Sequence, residues 1–481
     1  MFAQSLPFAI NYVRQLSNEL FLINQSYALS NTQQGWVSYC LTGLLLTNSL
    51  CWAAFERMGL GAYQIGALSW MFRHSSIVWT ELMQASVALL LHRINCICGT
   101  LVLDDTDHRR AKQTSRIFGT HKVFDKKTGG YFNGQCLMFL LLVTDKFTFP
   151  VGFCFYRPNP AISAWQKEED RLIKLKVKPA DRPKRPAPDP KYPSKAQIAL
   201  SLIDAFHSRH PGFIVKAVLA DAAFGTAAFM DAACKKAGCK QTISQLREDQ
   251  LVLFRNKEIT VKHYFDTHPG ASQAVCVRGG KTYTMTVSSA RLMVKAHGVK
   301  RFVIAVKNEG EAESRYLVAT DLSWRTLDIL QCYTLRWLVE VFFADWKLYE
   351  GWAGLAKQPG EEGSVRGVTL SLLLDHALLL HPEQLACLEN NTPACTVGSL
   401  RQASYAQAFL EFVRKILMAS DPARMLEQLS EKIKELFVLA PSKKHMNTRD
   451  LGRQEPTPSL GRRVVSKLVS PKADLAVPAA A

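Results

Sequence analysis

The 481-residue chain predicts an α/β fold with a sheet-bearing middle between helical ends, and three observations carry that expectation. Two apolar, strand-like runs each stop at acid: 98–103 ends at Asp104-Asp105, and 213–220 ends at Asp221. Residues 245–323 break into short β-rich runs, and both ends of the chain carry apolar positions at helical spacing.

The first 95 residues read as packed helices, with Ile65, Leu68, Met71, Ile77, Leu82 and Leu89 as candidate core positions. Residues 21–55 contain no charged side chain, and 35–55 is long enough to span a bilayer. Ser38, Thr42, Thr47, Asn48 and Ser49 interrupt that run, so buried helices without a membrane partner are expected. Residues 1–10 lack the basic start and apolar core of a signal peptide.

From residue 98 the pattern changes. Strands are expected at 99–104, 134–144 and 147–156, the last two closely connected as in an antiparallel meander. A helix over 196–207, the strand ending at Asp221 and a helix over 226–237 follow. Between them, 157–195 holds eight prolines and eleven Lys/Arg against five Asp/Glu, which predicts an extended basic loop: a solvated linker or a contact for a polyanion backbone.

Within 245–323, strands are expected at 250–254, 259–264, 272–277, 282–287, 300–306 and 314–319. After residue 347 helices return, with 368–380 strongly apolar and 405–417 amphipathic. From Pro441 onward, eight Lys/Arg against three Asp/Glu predict a flexible basic tail. The expected divisions are therefore 1–95, 96–244, 245–323, 324–360, 361–440 and 441–481.

A formal net charge of +18 points to a polyanionic partner, because Lys and Arg that neutralise phosphates release counterions. The twelve cysteines show no paired C-x-x-C spacing, which argues against a zinc site or disulfide framework and for reduced thiols in a cytoplasmic protein. No Gly-x4-Gly-Lys-Ser/Thr loop is present, so ATP use has no support, and no histidine sits in an H-E-x-x-H context.

Chemistry concentrates in Tyr333-Thr-Leu-Arg336-Trp-Leu-Val-Glu340 and Lys347. On one continuous helix at about 100° per residue these four side chains project within roughly 60° of one another. A phenol, two cations and a carboxylate on one face suit a metal-dependent phosphodiester site, or else a solvated face with an i,i+4 ion pair. Carboxylates at strand ends, here Asp105 and Asp221, can converge with such an acid around a divalent cation, although an Asp there is also a common helix N-cap.

Together these features resemble a family. An Asp followed by Thr after a first strand (Asp105-Thr106), Ala220-Asp221-x-x-Phe224-Gly225 after a later one, and Tyr-x2-Arg-x3-Glu-x6-Lys on a late helix are similar to the DDE transposases of bacterial insertion sequences, in the group named after insertion sequence four. The similarity spans about 98–355. It implies a ribonuclease-H-like catalytic core interrupted by a β-rich insertion, which accounts for the long gap between Asp221 and Glu340, with a helical DNA-binding domain at 1–95.

By position, the resemblance makes Asp105, Asp221 and Glu340 the catalytic and metal-binding triad for two Mg²⁺ ions, with Mn²⁺ as a substitute. Tyr333, Arg336 and Lys347 become the residues that grip DNA phosphates. Asp104 becomes a supporting group. The implied partners are double-stranded DNA, as terminal inverted repeats and target, and a second copy in a synaptic homodimer; the implied place is the bacterial cytoplasm at the nucleoid. The implied activity is cleavage of transposon ends and strand transfer, by cut-and-paste. A related nuclease without strand transfer and an inactive DNA-binding relic are the alternatives. The insertion lacks the tryptophan that such enzymes use to stack a flipped base; Trp324, Tyr264, Tyr283, Phe302 and Tyr316 are the candidates in its place.

Overall fold

A computed structural model describes residues 4–110, 117–125, 128–276, 281–352 and 358–434. The expected basic tail from Pro441 lies outside the described residues.

Five helices open the chain: α1 (Pro7–Asn24), α2 (Asn31–Thr47), α3 (Trp52–Met58), α4 (Ile65–His74) and α5 (Trp79–Arg93). Ser30 starts α2 with a reciprocal capping box to Gln33. The uncharged stretch is buried from Trp36 to Leu46. Among the described residues no single helix is long and apolar enough to cross a membrane.

The sheet region runs β1 (Cys98–Arg109), β2 (His121–Asp125), β3 (Gly130–Val143), β4 (Thr148–Tyr156), α6 (Pro160–Lys174), α7 (Lys195–Arg209), β5 (Ile214–Leu219), α8 (Ala227–Ala237) and β6 (Thr242–Leu246). This contains the expected order of three strands, helix, strand, helix. β3 pairs antiparallel with β1 and β4, and β5 lies parallel to both β1 and β6.

Next come β7 (Leu251–Phe254), β8 (Lys257–Thr260), α9 (Val261–Thr267), β9 (Ala271–Cys276), β10 (Thr282–Val294), β11 (Val299–Asn308) and β12 (Arg315–Ala319). These strands extend the same sheet rather than forming another, because β12 pairs with β6 and the order continues through β11, β10, β7 and β8. The strand expected at 259–264 is mostly helix α9, whose first turn is capped by the Thr260 hydroxyl accepting from the His263 N–H.

The chain closes with α10 (Thr326–Thr334), α11 (Trp337–Tyr349), α12 (Gly360–Leu379), α13 (Pro382–Glu389), α14 (Val397–Leu417) and α15 (Pro422–Lys434). The helical ends join the sheet through a buried polar chain. Tyr12 Oη lies 2.6 Å from Ser86 Oγ, Ser86 Oγ lies 2.5 Å from His376 Nδ1, and His376 Nε2 lies 2.8 Å from the Pro150 carbonyl. Burial pushes His376 down to about 4, so its ring is neutral; with Nε2–H donating to Pro150, Nδ1 accepts from Ser86.

Two further expectations fail for local reasons. The 157–195 segment is not simply extended, because Asn159 caps α6 by accepting from the Ala161 N–H at 2.9 Å, with Pro160 in its first turn. The helix expected across 333–347 is broken between α10 and α11. At the break, the Leu335, Arg336, Leu338 and Val339 N–H groups bond three residues back instead of four, tightening the turn around Arg336.

Candidate active site

The register of β1 decides which acid faces what. Asp104 pairs with Phe139 of β3, and Asp105 with Met138. Directly paired residues share a face and neighbours alternate, so the two aspartates point to opposite sides of the sheet.

The Phe139 side is covered by α11. The Phe139 ring lies 5.6 Å from Phe342, 5.6 Å from Phe343 and 5.0 Å from Trp346, centroid to centroid. On this side Arg336 Nη1 donates to Asp104 Oδ2 at 2.8 Å. The last parallel pair of β1 and β5 is Val102 with Leu219, and Asp104 and Asp221 each follow two residues later. Burial pushes Asp104 up to about 7; the Asp105 N–H and Arg336 oppose that shift, and the charges of Asp221 and Asp105 add to it.

Asp221 also caps a short turn, accepting from the Ala223 N–H at 3.0 Å. Phe224 anchors that turn in the core. Gly225 is required there, since a Cβ would stand 2.3 Å from the Gln245 carbonyl oxygen. The Ala-Asp-x-x-Phe-Gly pattern is thus a device that fixes a carboxylate at a strand end.

Glu340 is exposed one turn beyond Arg336 on α11. Its charge, together with that of Asp107, favours the ammonium of Lys347, whose partial burial acts the other way and prevails, lowering its pKa. Lys347 Nζ lies 5.7 Å from the centre of the Phe343 ring. Burial raises the Tyr333 phenol, and both Arg336 and Asp221 act on it electrostatically. The structure therefore brings Tyr333, Arg336, Asp221 and Asp104 into one neighbourhood, with Glu340 and Lys347 on α11, the helix that Arg336 precedes.

Asp105 does not share that neighbourhood. Its Oδ2 accepts from Lys195 Nζ at 2.6 Å and lies 3.5 Å from Cys136 Sγ, on the side covered by α7. The faces of the two aspartates are thus the reverse of those expected from the Asp-Thr pattern: alternation along β1 turns Asp104, and not Asp105, toward α11. Sequence reasoning missed Lys195, which has no motif of its own.

Two donor sets differ in how well they suit a hard cation. Ligand atoms of Asp105, Asp107 and Cys136 lie within 4.8 Å of one another. That set fits a hard cation poorly: the Lys195 ammonium already engages Asp105, and burial pushes the Cys136 thiol up, so it stays protonated. Asp104, Asp221 and Glu340 offer carboxylate oxygens alone, and the Asp221 charge disfavours ionised Asp104. A divalent cation held by oxygen ligands would relieve that repulsion, which is the chemistry such carboxylates suit.

Of the aromatic candidates for base stacking, Tyr264, Phe302 and Tyr316 are buried, while Tyr283 is half exposed on β10. Trp324 packs partly buried against the core.

The model of the DDE superfamily endonucleases matches residues 27–271, more than half of the chain. The chain belongs to that superfamily. A transposase DDE domain model matches residues 188–356, which include Asp221 and α11. The superfamily is metal-dependent, and the group of close ligand atoms among the described residues is that of Asp105, Asp107 and Cys136. No curated protein matches the chain. Among solved structures, the Drosophila P element transposase strand transfer complex is similar at 11% identity and a TM-score of 0.21, over 52% of this chain and 52% of that one. The chain thus spans about half the length of that neighbour.

Proposed function

We propose that this DDE superfamily protein is a transposase of the insertion-sequence-four group that cleaves transposon-end DNA and transfers the strand by cut-and-paste. The observation that carries the reading is the convergence of Asp104, Arg336 and the Asp221 charge beneath the helix bearing Glu340. The strand order on which that convergence rests supports a ribonuclease-H-like core.

In this reading Asp104, Asp221 and Glu340 hold two divalent cations, which would supply activation of the attacking hydroxyl and stabilisation of the leaving oxygen. Asp105, paired to Lys195, takes the supporting role. Arg336 balances Asp104 in the free protein and turns to a DNA phosphate in the complex, a bidentate contact its planar fork suits. Lys347, one face along α11, meets a neighbouring phosphate, and the Tyr333 hydroxyl orients the strand. Positioning and charge neutralisation do most of the work. Terminal inverted repeats and target duplex are the partners, bound by a dimer that pairs two ends.

The test is cleavage of an end-bearing duplex and strand transfer of a precleaved end, each with Mg²⁺, Mn²⁺, Ca²⁺ or chelator. Cleavage and joining with Mg²⁺ or Mn²⁺, and binding with little chemistry in Ca²⁺, are expected. Cleavage without joining identifies a nuclease. Binding without either reaction identifies a relic. Full cleavage in chelator removes the carboxylate mechanism.

A further inference from the structure

The proline-rich insertion between β4 and α7 is built as an arm. No residue of α6 is buried, so this helix of 15 residues, about 22 Å long, stands outside the core. Its end is closed tightly, with the Val177 N–H donating to the Leu172 carbonyl at 3.0 Å and Lys176 in the left-handed region at φ 56°.

The returning segment is pinned to the helix. Trp165 Nε1 donates to the Pro183 carbonyl at 2.7 Å. Arg182 donates from Nη2 to the Val177 carbonyl at 2.7 Å and from Nη1 to Glu169 at 3.0 Å, with both members of that ion pair more than four-fifths covered. A solvated linker needs none of these contacts. At the root, Arg157 stacks on Phe118 and Tyr192, and Lys195 pairs with Asp105 on the sheet face opposite Asp104.

The pins leave the tip positive. Lys174, Lys176, Lys178 and Lys184 are exposed, and no acid among the described residues pairs with them, whereas the acids Glu168 and Glu169 are engaged by Arg171 and Arg182. The lysines present compact, strongly hydrated point charges, which suit a phosphate backbone.

We infer that this arm is a clamp for the phosphate backbone of duplex DNA, gripping it sequence-independently at a distance from the bond being cut. The inference rests on the DNA reading of the acid site and adds a surface to it. Four lysines account for up to about four counterions released on binding. The exposed Ile173 and Leu175 at the same tip offer the competing occupant, an anionic membrane surface.

The experiment compares the full chain with a variant carrying Lys174→Gln, Lys176→Gln, Lys178→Gln and Lys184→Gln. Binding to a 40-base-pair duplex of unrelated sequence is measured across a salt series, beside binding to vesicles of phosphatidylserine and phosphatidylcholine. The expected result is a log–log salt slope shallower by about three in the variant, with an unchanged thermal melt. Trp165→Ala, which frees the arm while keeping its charges, is expected to weaken binding several-fold with a smaller change in slope. An unchanged slope in the four-lysine variant overturns the clamp while leaving the acid site standing. Absence of any DNA binding by the natural chain at low salt overturns both, and vesicle binding that the four substitutions abolish, with DNA binding intact, assigns the arm to a membrane.

Discussion

Arg336 donates to Asp104 at 2.8 Å across the interior of the molecule, while the next residue, Asp105, turns away to Lys195 at 2.6 Å. Two adjacent acids are thereby given different cations, different helices and different faces of one sheet. Only the first lies under the helix that carries Glu340.

This assigns separate outcomes to two isosteric substitutions. Asp104→Asn is expected to abolish cleavage with end binding retained, because it removes a ligand charge without changing size. Asp105→Asn is expected to keep measurable turnover while loosening Lys195. Single-turnover cleavage with each variant decides between them; an active Asp104→Asn beside a dead Asp105→Asn would return the ligand role to Asp105.

Arg336 and Lys347 are separable by salt. Lys347→Ala is expected to weaken end binding and make its salt dependence shallower by about one contact. Arg336→Gln is expected to cost more in cleavage than in binding, since it also leaves Asp104 without its cation partner, and an unpaired buried carboxylate is expensive. Equal losses in both measurements for both variants would point to a shared solvated face instead.

Apolar runs are strong local signals and located most of the strands, but the strand expected to stop at Asp104-Asp105 runs on through Arg109, because residues 104–109 keep pairing with β3, so those two acids lie within a strand and only Asp221 follows the end of one. The sequence could not choose between Asp104 and Asp105: alternation says that they face opposite ways but not which face α11 will cover, and that follows from Phe139 meeting Phe342, Phe343 and Trp346. The break at Arg336 was invisible for a related reason, since no Gly or Pro marks it. Proline count misled the reading of 157–195, where contacts distant in sequence, Trp165 to Pro183 and Arg182 to Glu169, impose a shape that composition does not encode.

Phe139 supports the site without touching substrate. Its ring is fully buried beneath three aromatic residues of α11, so Phe139→Ala opens a cavity and is expected to cost about 3–5 kcal/mol in chemical denaturation. Phe139→Leu keeps most of the volume and is expected to restore most of that stability, yet cleavage should remain reduced if the aromatic stack sets the height of Glu340 over the sheet. Recovery of cleavage in step with stability would make Phe139 a packing residue alone.

The last prediction concerns the far end of α11. Glu350 and Asp375 are buried against each other, and among the described residues Glu350 Oε1, Glu350 Oε2 and Asp375 Oδ2 meet no donor but the proton the two carboxyls share. Asp345 adds a third negative charge, Tyr12 approaches from α1, and neighbouring His376 is neutral, so no cation compensates. Burial first, then these charges, pushes Glu350 well up, and burial with Asp345 brings Asp375 to about 8. The folded state therefore holds protons that the unfolded chain releases above its ordinary carboxylate pKa, about 4. Stability from this pair is fully present below that value and is lost as pH rises toward 8. Thermal melts of the natural chain should fall between pH 5 and pH 8, and the Glu350→Gln/Asp375→Asn double variant should fall distinctly less over the same interval, since its amides have no proton to lose. Parallel pH profiles for the two proteins would show that the carboxyl pair does not hold the extra protons.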